Sequence, residues 1–240
     1  MIKAFLKKLN RRLEFWLNDN NFDYKVNFRR ISHSQCGEDL IVEYLLNLKG
    51  VTKPTFLDVG AHHPVYLNNT LIFYNNGARG VNIEANKSLI KDFNNFRPDD
   101  INLNIGVGVE SEIKNFYIFE DATLSTFSKV ESDNFLTLGQ KLKEVVQVSV
   151  MPLNEIFSTY FKDKSPDLLF LDIEGLDFDI IKTIDFKKNR PLIICVESHF
   201  YDPKGMGAKN IEMCKYLFEN DYYEYSDTGL NSIFIDRLNW

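Results

Sequence analysis

At 240 residues and a net charge of −6, the chain is long enough for one sizeable α/β domain. It is too acidic to bind nucleic acid by bulk electrostatics. Twenty Phe and 11 Tyr supply a large aromatic core, and Cys36, Cys195 and Cys214 are too scattered for a disulfide framework or a zinc site.

No apolar run reaches the length of a membrane-spanning helix. The basic N-terminal stretch lacks the apolar core and cleavage site of a signal peptide, so the cytoplasm is the expected address. Over residues 2–17, Ile2, Phe5, Leu6, Leu9, Leu13, Trp16 and Leu17 recur at helical spacing beside Lys3, Lys7, Lys8, Arg11 and Arg12. This predicts an amphipathic helix that docks on the domain or on a second subunit. A membrane-surface anchor is the alternative. The expected organisation is this helix and a polar connector over 1–33, then one domain over 34–240.

From Cys36 the elements alternate. A helix over Cys36–Leu48 precedes a strand at Phe56–Val59, a helix at Leu67–Asn76 and a strand at Gly80–Ile83. A helix at Lys87–Phe96 stops before Pro98, and a strand follows at Ile101–Ile105. Residues 113–150 break the rhythm: FYIF and VVQVSV flank a Ser/Thr segment, which predicts an inserted hairpin. Then come a helix (Leu153–Phe161), a strand (Leu168–Leu171), a helix (Phe178–Ile184) and a strand (Leu192–Val196). A last helix, Ile211–Glu219, leads to strands near Tyr222–Tyr225 and Ser232–Ile235, which pair as an antiparallel edge hairpin. The pattern predicts a mainly parallel sheet with helices on both faces.

Open parallel sheets bind ligands beyond the carboxyl ends of their strands. The first strand ends in Asp58-Val59-Gly60-Ala61-His62-His63-Pro64, where Gly60 permits a tight turn. This is no GxGxxG loop, so a pyrophosphate cradle is not indicated. The second strand ends at Glu84, placed to accept two hydrogen bonds from a ribose diol, and the third at Asn104-Ile105-Gly106, a small loop for a flat base. Taken singly, these are an ordinary turn and a solvated acid; together they outline a nucleoside site. The fourth strand ends in Asp172-Ile173-Glu174-Gly175 and the fifth in Glu197-Ser198-His199. Carboxylates emerging from apolar strands suit acid–base work or a divalent cation. Asp172 as a helix cap and His199 as a loop histidine are the plain readings.

At these residues the chain resembles the FkbM family of S-adenosylmethionine-dependent methyltransferases. The segments are SQCGEDLIVEYLL (34–46), FLDVGAHHPVYLNNTLIFYNNGARGVNIEAN (56–86), RPDDINLNIGVG (97–108), ATLSTFSKV (122–130), LLFLDIEGLDFDIIKTIDF (168–186) and RPLIICVES (190–198). The resemblance implies a Rossmann-like class I methyltransferase fold with a seven-stranded, mostly parallel sheet. It implies a cofactor set of Gln35, Asp58, Gly60, Ala61, Tyr66, Asn69, Thr70, Glu84, Ala85, Asn104, Gly106 and Asp172. Asp58 and the loop to Thr70 would surround the methionine part, Glu84 the ribose and Asn104 to Gly106 the adenine. Ser34, Gln35, Glu38 and Asp39 match a motif near the cofactor. Lys87, where proline is common, and the TLSTF stretch depart mildly from the family pattern.

Methyl transfer to an alcohol requires positioning and loss of the hydroxyl proton. Asp172, Glu174 or His199 is the expected base. Alternatively Mg²⁺ held by Asp172, Glu174 and Glu197 acidifies the hydroxyl. The expected acceptor is a sugar, nucleotide-linked or part of a bacterial surface glycan, because family members mostly methylate hydroxyls of sugars or natural products. His62, His63, Tyr66, Asn68, Asn69, His199, Tyr201 and Asp202 offer directed hydrogen bonds and stacking faces. Residues 58–76 contain no Lys or Arg, which speaks against nucleic acid. Another small polar acceptor, a nicotinamide oxidoreductase and a non-catalytic cofactor-binding module are the competing readings.

Overall fold

Helices and apolar strands alternate from Glu38 onward in a computed structural model that describes residues 30–240 apart from Asp163, Pro203 and Met206. The helix expected over 2–17 lies outside the described residues. Ser32–Trp240 packs as one unit.

Helix α1 (Glu38–Lys49) is followed by β1 (Thr55–Val59), α2 (Leu71–Asn75), β2 (Arg79–Ile83), α3 (Lys87–Phe96) and β3 (Ile101–Leu103). An insertion then holds β4 (Gly106–Val107), β5 (Glu112–Phe119), α4 (Lys129–Thr137) and β6 (Leu142–Met151). The main sheet resumes through α5 (Leu153–Phe161), β7 (Leu168–Leu171), α6 (Asp177–Ile181) and β8 (Ile193–Glu197). It closes with α7 (Ile211–Glu219), β9 (Tyr222–Asp227) and β10 (Asn231–Asp236).

The seven-stranded sheet runs β3-β2-β1-β7-β8-β10-β9. Its first five strands are parallel, and β10 is antiparallel to both β8 and β9. This is the Rossmann-like class I methyltransferase arrangement, with the strand order reversing between β1 and β7. Strand alternation divides the core into two layers. Phe56, Leu168, Phe170, Ile193 and Cys195 pack with Val42, Leu45 and Leu46 of α1 and Phe73 of α2. Leu57, Val59, Leu169, Leu171, Ile194 and Val196 face Leu153, Ile156 and Phe157 of α5 and Met213 and Leu217 of α7. Burying each such aliphatic side chain stabilises the fold by about 1.5–3 kcal/mol.

Three local features differ from the sequence-based expectation. The third strand stops at Leu103 rather than Ile105, because Asn104 Nδ2 donates to the carbonyls of Glu84 (3.0 Å) and Ala85 (2.9 Å) and turns the chain out of the sheet. Gly106–Val107 then joins β6 and β5 in a three-stranded second sheet. The helix expected from Leu67 starts at Leu71, since Asn68 Oδ1 accepts the N–H of Thr70 (3.0 Å) and Leu71 (2.7 Å) and holds a turn before it. The insertion is more than a hairpin: α4, capped by the Ser128 hydroxyl, buries only Ser132 and Phe135 and so presents no apolar stripe to read.

Candidate active site

Four strand ends and the insertion enclose one cavity of about 920 Å³, its open mouth included. After β1 the walls are Asp58, Gly60, Ala61, His62 and Asn69; after β2, Glu84 and Ala85; after β3, Ile105 to Val107. Asp172, Ile173 and Glu174 follow β7, and Gln35 comes from the segment before α1.

Gly60 has φ 77°, and a Cβ there would lie 1.8 Å from the Asp172 carbonyl oxygen, so glycine is required where β1 and β7 diverge. Glu84 is buried; its Oε2 accepts from the His62 N–H (2.9 Å) and its Oε1 from the Asn86 N–H (2.7 Å). Each oxygen keeps a further lone pair for a ligand hydroxyl. His62 Nδ1 and Asn69 Oδ1 are buried in the wall without a partner. An unmade buried hydrogen bond costs about 1–3 kcal/mol, so a ligand that completes these atoms gains from them.

The insertion supplies walls that sequence reasoning left out: Phe116, Ala122, Thr123, Ser125 and Phe127. The Phe116 and Phe127 rings pack on each other with centroids 4.6 Å apart, and a Cβ on Gly106 would sit 2.3 Å from the Phe127 ring, so glycine is what lets that ring close on the end of the third strand. The signal was present in ATLSTFSKV, which carries four of these residues, but nothing local tied that segment to the strand ends.

Three other expected residues stand back from the cavity. Thr70 is fully buried behind Asp58 and donates to its Oδ2 (2.6 Å). Asn104 holds backbone carbonyls, as above. Tyr66 is 63% exposed, its N–H bonded to His63 Nδ1. In the N-terminal motif only Gln35 reaches the cavity. Asp39 accepts from the Ser32 and Ser34 hydroxyls, and Glu38 accepts from Thr228 and Asn231, pinning the start of α1 to the β9–β10 turn.

A second cavity adjoins the first and shares Glu174 with it. Its walls are Glu131 of α4, Glu174, Gly175, Asp177, Phe178, Glu197, Ser198, His199, Phe200, Tyr201 and Asn210. Glu174 has φ 55° and Gly175 φ 94°, a left-handed pair that projects Glu174 to the junction; the Thr126 hydroxyl fixes it by donating to its carbonyl (2.8 Å). The helix cap of α6 is Leu176, so Asp172 is not spent as one. Asp172, Glu174 and Glu197 each offer a carboxylate oxygen within 4.8 Å of the other two. Burial and the charges of neighbouring carboxylates push Glu174, Asp177 and Glu197 well above the ordinary carboxyl range, and burial, with Asp58 and Glu38 nearby, raises Asp172 to about 6. His199 Nδ1 lies 3.1 Å from the Ser198 hydroxyl and 3.3 Å from the Leu230 carbonyl, while Nε2 faces Asp227 at 3.7 Å.

Burial, the largest cause, also raises Asp58 to about 6 and Glu84 to about 7. The folded protein thus keeps protons that the unfolded chain releases near pH 4. Stability tied to these groups is complete below that pH and is lost as pH rises through 6 to 7, at about 1.4 kcal/mol per unit of pKa difference. The cofactor-free protein is expected to melt at a higher temperature at pH 5.5 than at pH 8, with a smaller difference in Glu84→Gln. A melting temperature that climbs with pH across that window contradicts the assignment.

No curated protein matches the chain. Among solved structures it is similar to the methyltransferase FkbM of Methylobacillus flagellatus KT, at 12% identity over 77% of this chain and a TM-score of 0.44. The chain spans 44% of that protein's length. It is also similar to an O-methyltransferase from Bacillus cereus in complex with SAH, at 12% identity over 88% of this chain and 84% of that one, with a TM-score of 0.38. The model of the methyltransferase FkbM domain matches residues 58–224, well over half the sequence. The chain therefore belongs to the FkbM methyltransferase family.

Proposed function

We propose that this methyltransferase uses S-adenosylmethionine to methylate a hydroxyl of a sugar, in the cytoplasm, on a building block of a surface glycan. The observation that carries the cofactor assignment is the convergence of Asp58, Gly60, Glu84, Gly106 and Asp172 on one cavity. Its chemistry fits the group: an acceptor pair for a diol, an aromatic wall of Phe116 and Phe127 for a base, and orphaned polar atoms on His62 and Asn69 for the polar methionine end. When bound, the cofactor supplies an electrophilic methyl carbon whose bond to sulfur breaks as the acceptor oxygen attacks. Glu174, lining both cavities, is placed to take the hydroxyl proton. Burial and the carboxylates around it raise its proton affinity, so it holds a proton more tightly than an ordinary carboxylate does.

A second reading has Mg²⁺ at Asp172, Glu174 and Glu197, supported by three hard oxygen donors within 4.8 Å. The metal would lower the hydroxyl pKa and orient the acceptor.

The second cavity supports a sugar ring as acceptor: Phe178 and Tyr201 give faces for stacking, and Ser198, Asn210 and the carboxylates give directed hydrogen bonds. Among its described lining residues there is no Lys or Arg, so the phosphates of a nucleotide carrier are expected to remain outside. The test is transfer of labelled methyl from S-adenosylmethionine to a panel of neutral glycosides, amino sugars, sugar phosphates, nucleotide sugars, RNA and protein. Neutral, amino or nucleotide-linked sugars are expected to accept label, and sugars phosphorylated at a hydroxyl other than the anomeric one are not. Label on RNA or protein alone overturns the acceptor reading and leaves the methyltransferase standing.

A further inference from the structure

Arg97, which follows α3 and precedes β3, is completely buried. Its guanidinium carbon lies 5.4, 5.0 and 5.3 Å from the ring centroids of Phe56, Tyr74 and Phe93. Burying so large a cation is costly unless its donors are used. Nε donates to Asp100 Oδ2 (2.9 Å), and Nη2 lies 2.8 Å from the same oxygen without the alignment of a hydrogen bond. Asp100 also accepts from the Gly80 N–H (3.0 Å) and Asn82 Nδ2 (3.2 Å).

The other side of the guanidinium faces the cavity wall. Nη1 donates to Asn68 Oδ1 (2.9 Å) and to Thr70 Oγ1 (3.0 Å). A guanidinium can only donate. The Thr70 oxygen therefore receives from Arg97, and its single proton goes to Asp58 Oδ2 at 2.6 Å, the shorter of its two acceptor contacts, the other being Asn68 Oδ1 at 3.2 Å. Asn68 in turn donates to the Ala61 carbonyl (3.2 Å) and holds the turn before α2. One buried cation thus fixes both ends of the Ala61–Thr70 loop and the direction of the hydrogen bond that reaches Asp58.

We propose that Arg97 is a positioning residue for the cofactor site, acting through Thr70 and Asn68 to orient Asp58 and the loop after β1. This rests on the reading of that cavity as the S-adenosylmethionine site. In the sequence Arg97 is visible only as the first residue of the RPDDINLNIGVG segment, and nothing local says that it is buried. The charged and titratable groups around Asp58 are Arg97 and Asp100 behind it, Glu84 beyond β2, Asp172 beyond β7 and Cys195 of β8. Arg97 is the cation among them.

The experiment is a double-mutant cycle on S-adenosylhomocysteine affinity, measured by calorimetry on the whole chain. Arg97→Met and Thr70→Val are each expected to weaken binding about tenfold or more, the size of one lost charge-assisted hydrogen bond. In an Asp58→Asn background the same changes are expected to have little further effect, because the acceptor of the relay is already altered. Thr70→Ser, which keeps the hydroxyl, is expected to bind as the wild type does. Should Arg97→Met fail to fold, the Thr70 pair decides: Val and Ser variants of equal affinity overturn the proposal. So do effects that multiply fully in Asp58→Asn, which would mark Arg97 and Thr70 as general structural supports. A wild-type protein that binds neither S-adenosylmethionine nor S-adenosylhomocysteine fails the cofactor reading itself, and this inference with it.

Discussion

Replacing Glu84 with Ala is expected to weaken S-adenosylhomocysteine binding at least a hundredfold. Two hydrogen bonds from a ribose diol to a carboxylate are lost, each worth about 1.5–3 kcal/mol, and each 1.4 kcal/mol is a factor of ten. The structure adds a second cost: the His62 and Asn86 N–H groups lose their acceptors. His62 lies in the cavity wall, so the wall itself loosens. Glu84→Gln keeps the shape and one acceptor oxygen, and is expected to fall between wild type and Ala. Calorimetry giving Glu84→Ala the wild-type affinity would remove Glu84 from the site.

The second large effect is expected at Glu174. Glu174→Gln keeps the size of the side chain and removes its capacity to take a proton. With an acceptor identified by the labelling panel, turnover is expected to drop about 10²- to 10⁴-fold, the usual contribution of a general base. Cofactor affinity is expected to change by much less, because Glu174 sits at the junction and Glu84 and Asp58 remain. The same assay separates the base from the metal reading. Turnover that survives exhaustive chelation leaves Glu174 acting as a base. Turnover that vanishes with chelator and returns with Mg²⁺ assigns Asp172, Glu174 and Glu197 to the ion. Near-wild-type turnover in Glu174→Gln excludes both roles for this residue. Thermal unfolding on each preparation separates lost chemistry from lost fold.

The order of elements was legible in the sequence because it is written in local periodicity. Buried parallel strands such as Leu168–Leu171 are continuous apolar runs, and the helices between them repeat near every third or fourth residue. The chemical residues at the strand ends were equally visible, since Asp58, Glu84 and Asp172 each interrupt an apolar run at the point where a parallel sheet presents its ligands. The family resemblance read these separate signals as one site, and in the structure they line one cavity.

Tertiary structure decided what lies beside those strand ends. Phe116 and Phe127 reach the cavity from an insertion whose place over the site is set by β4 pairing with β6, a contact between residues more than forty positions apart that no local pattern encodes. Thr70, expected to touch the cofactor, is drawn behind Asp58 by Arg97, and Arg97 can be there only because Phe56, Tyr74 and Phe93 enclose it. Glu174 and Glu197 belong to different strand ends, and parallel pairing of β7 with β8 brings them within 4.8 Å of one another and of Asp172. The sequence by itself determined the order of elements and which polar side chains stand at the strand ends, because periodicity and strand-end polarity act over a few residues. Which of those groups meet, and with what proton affinity, was decided by burial and pairing across the whole fold, because desolvation and charge repulsion depend on neighbours distant in the chain.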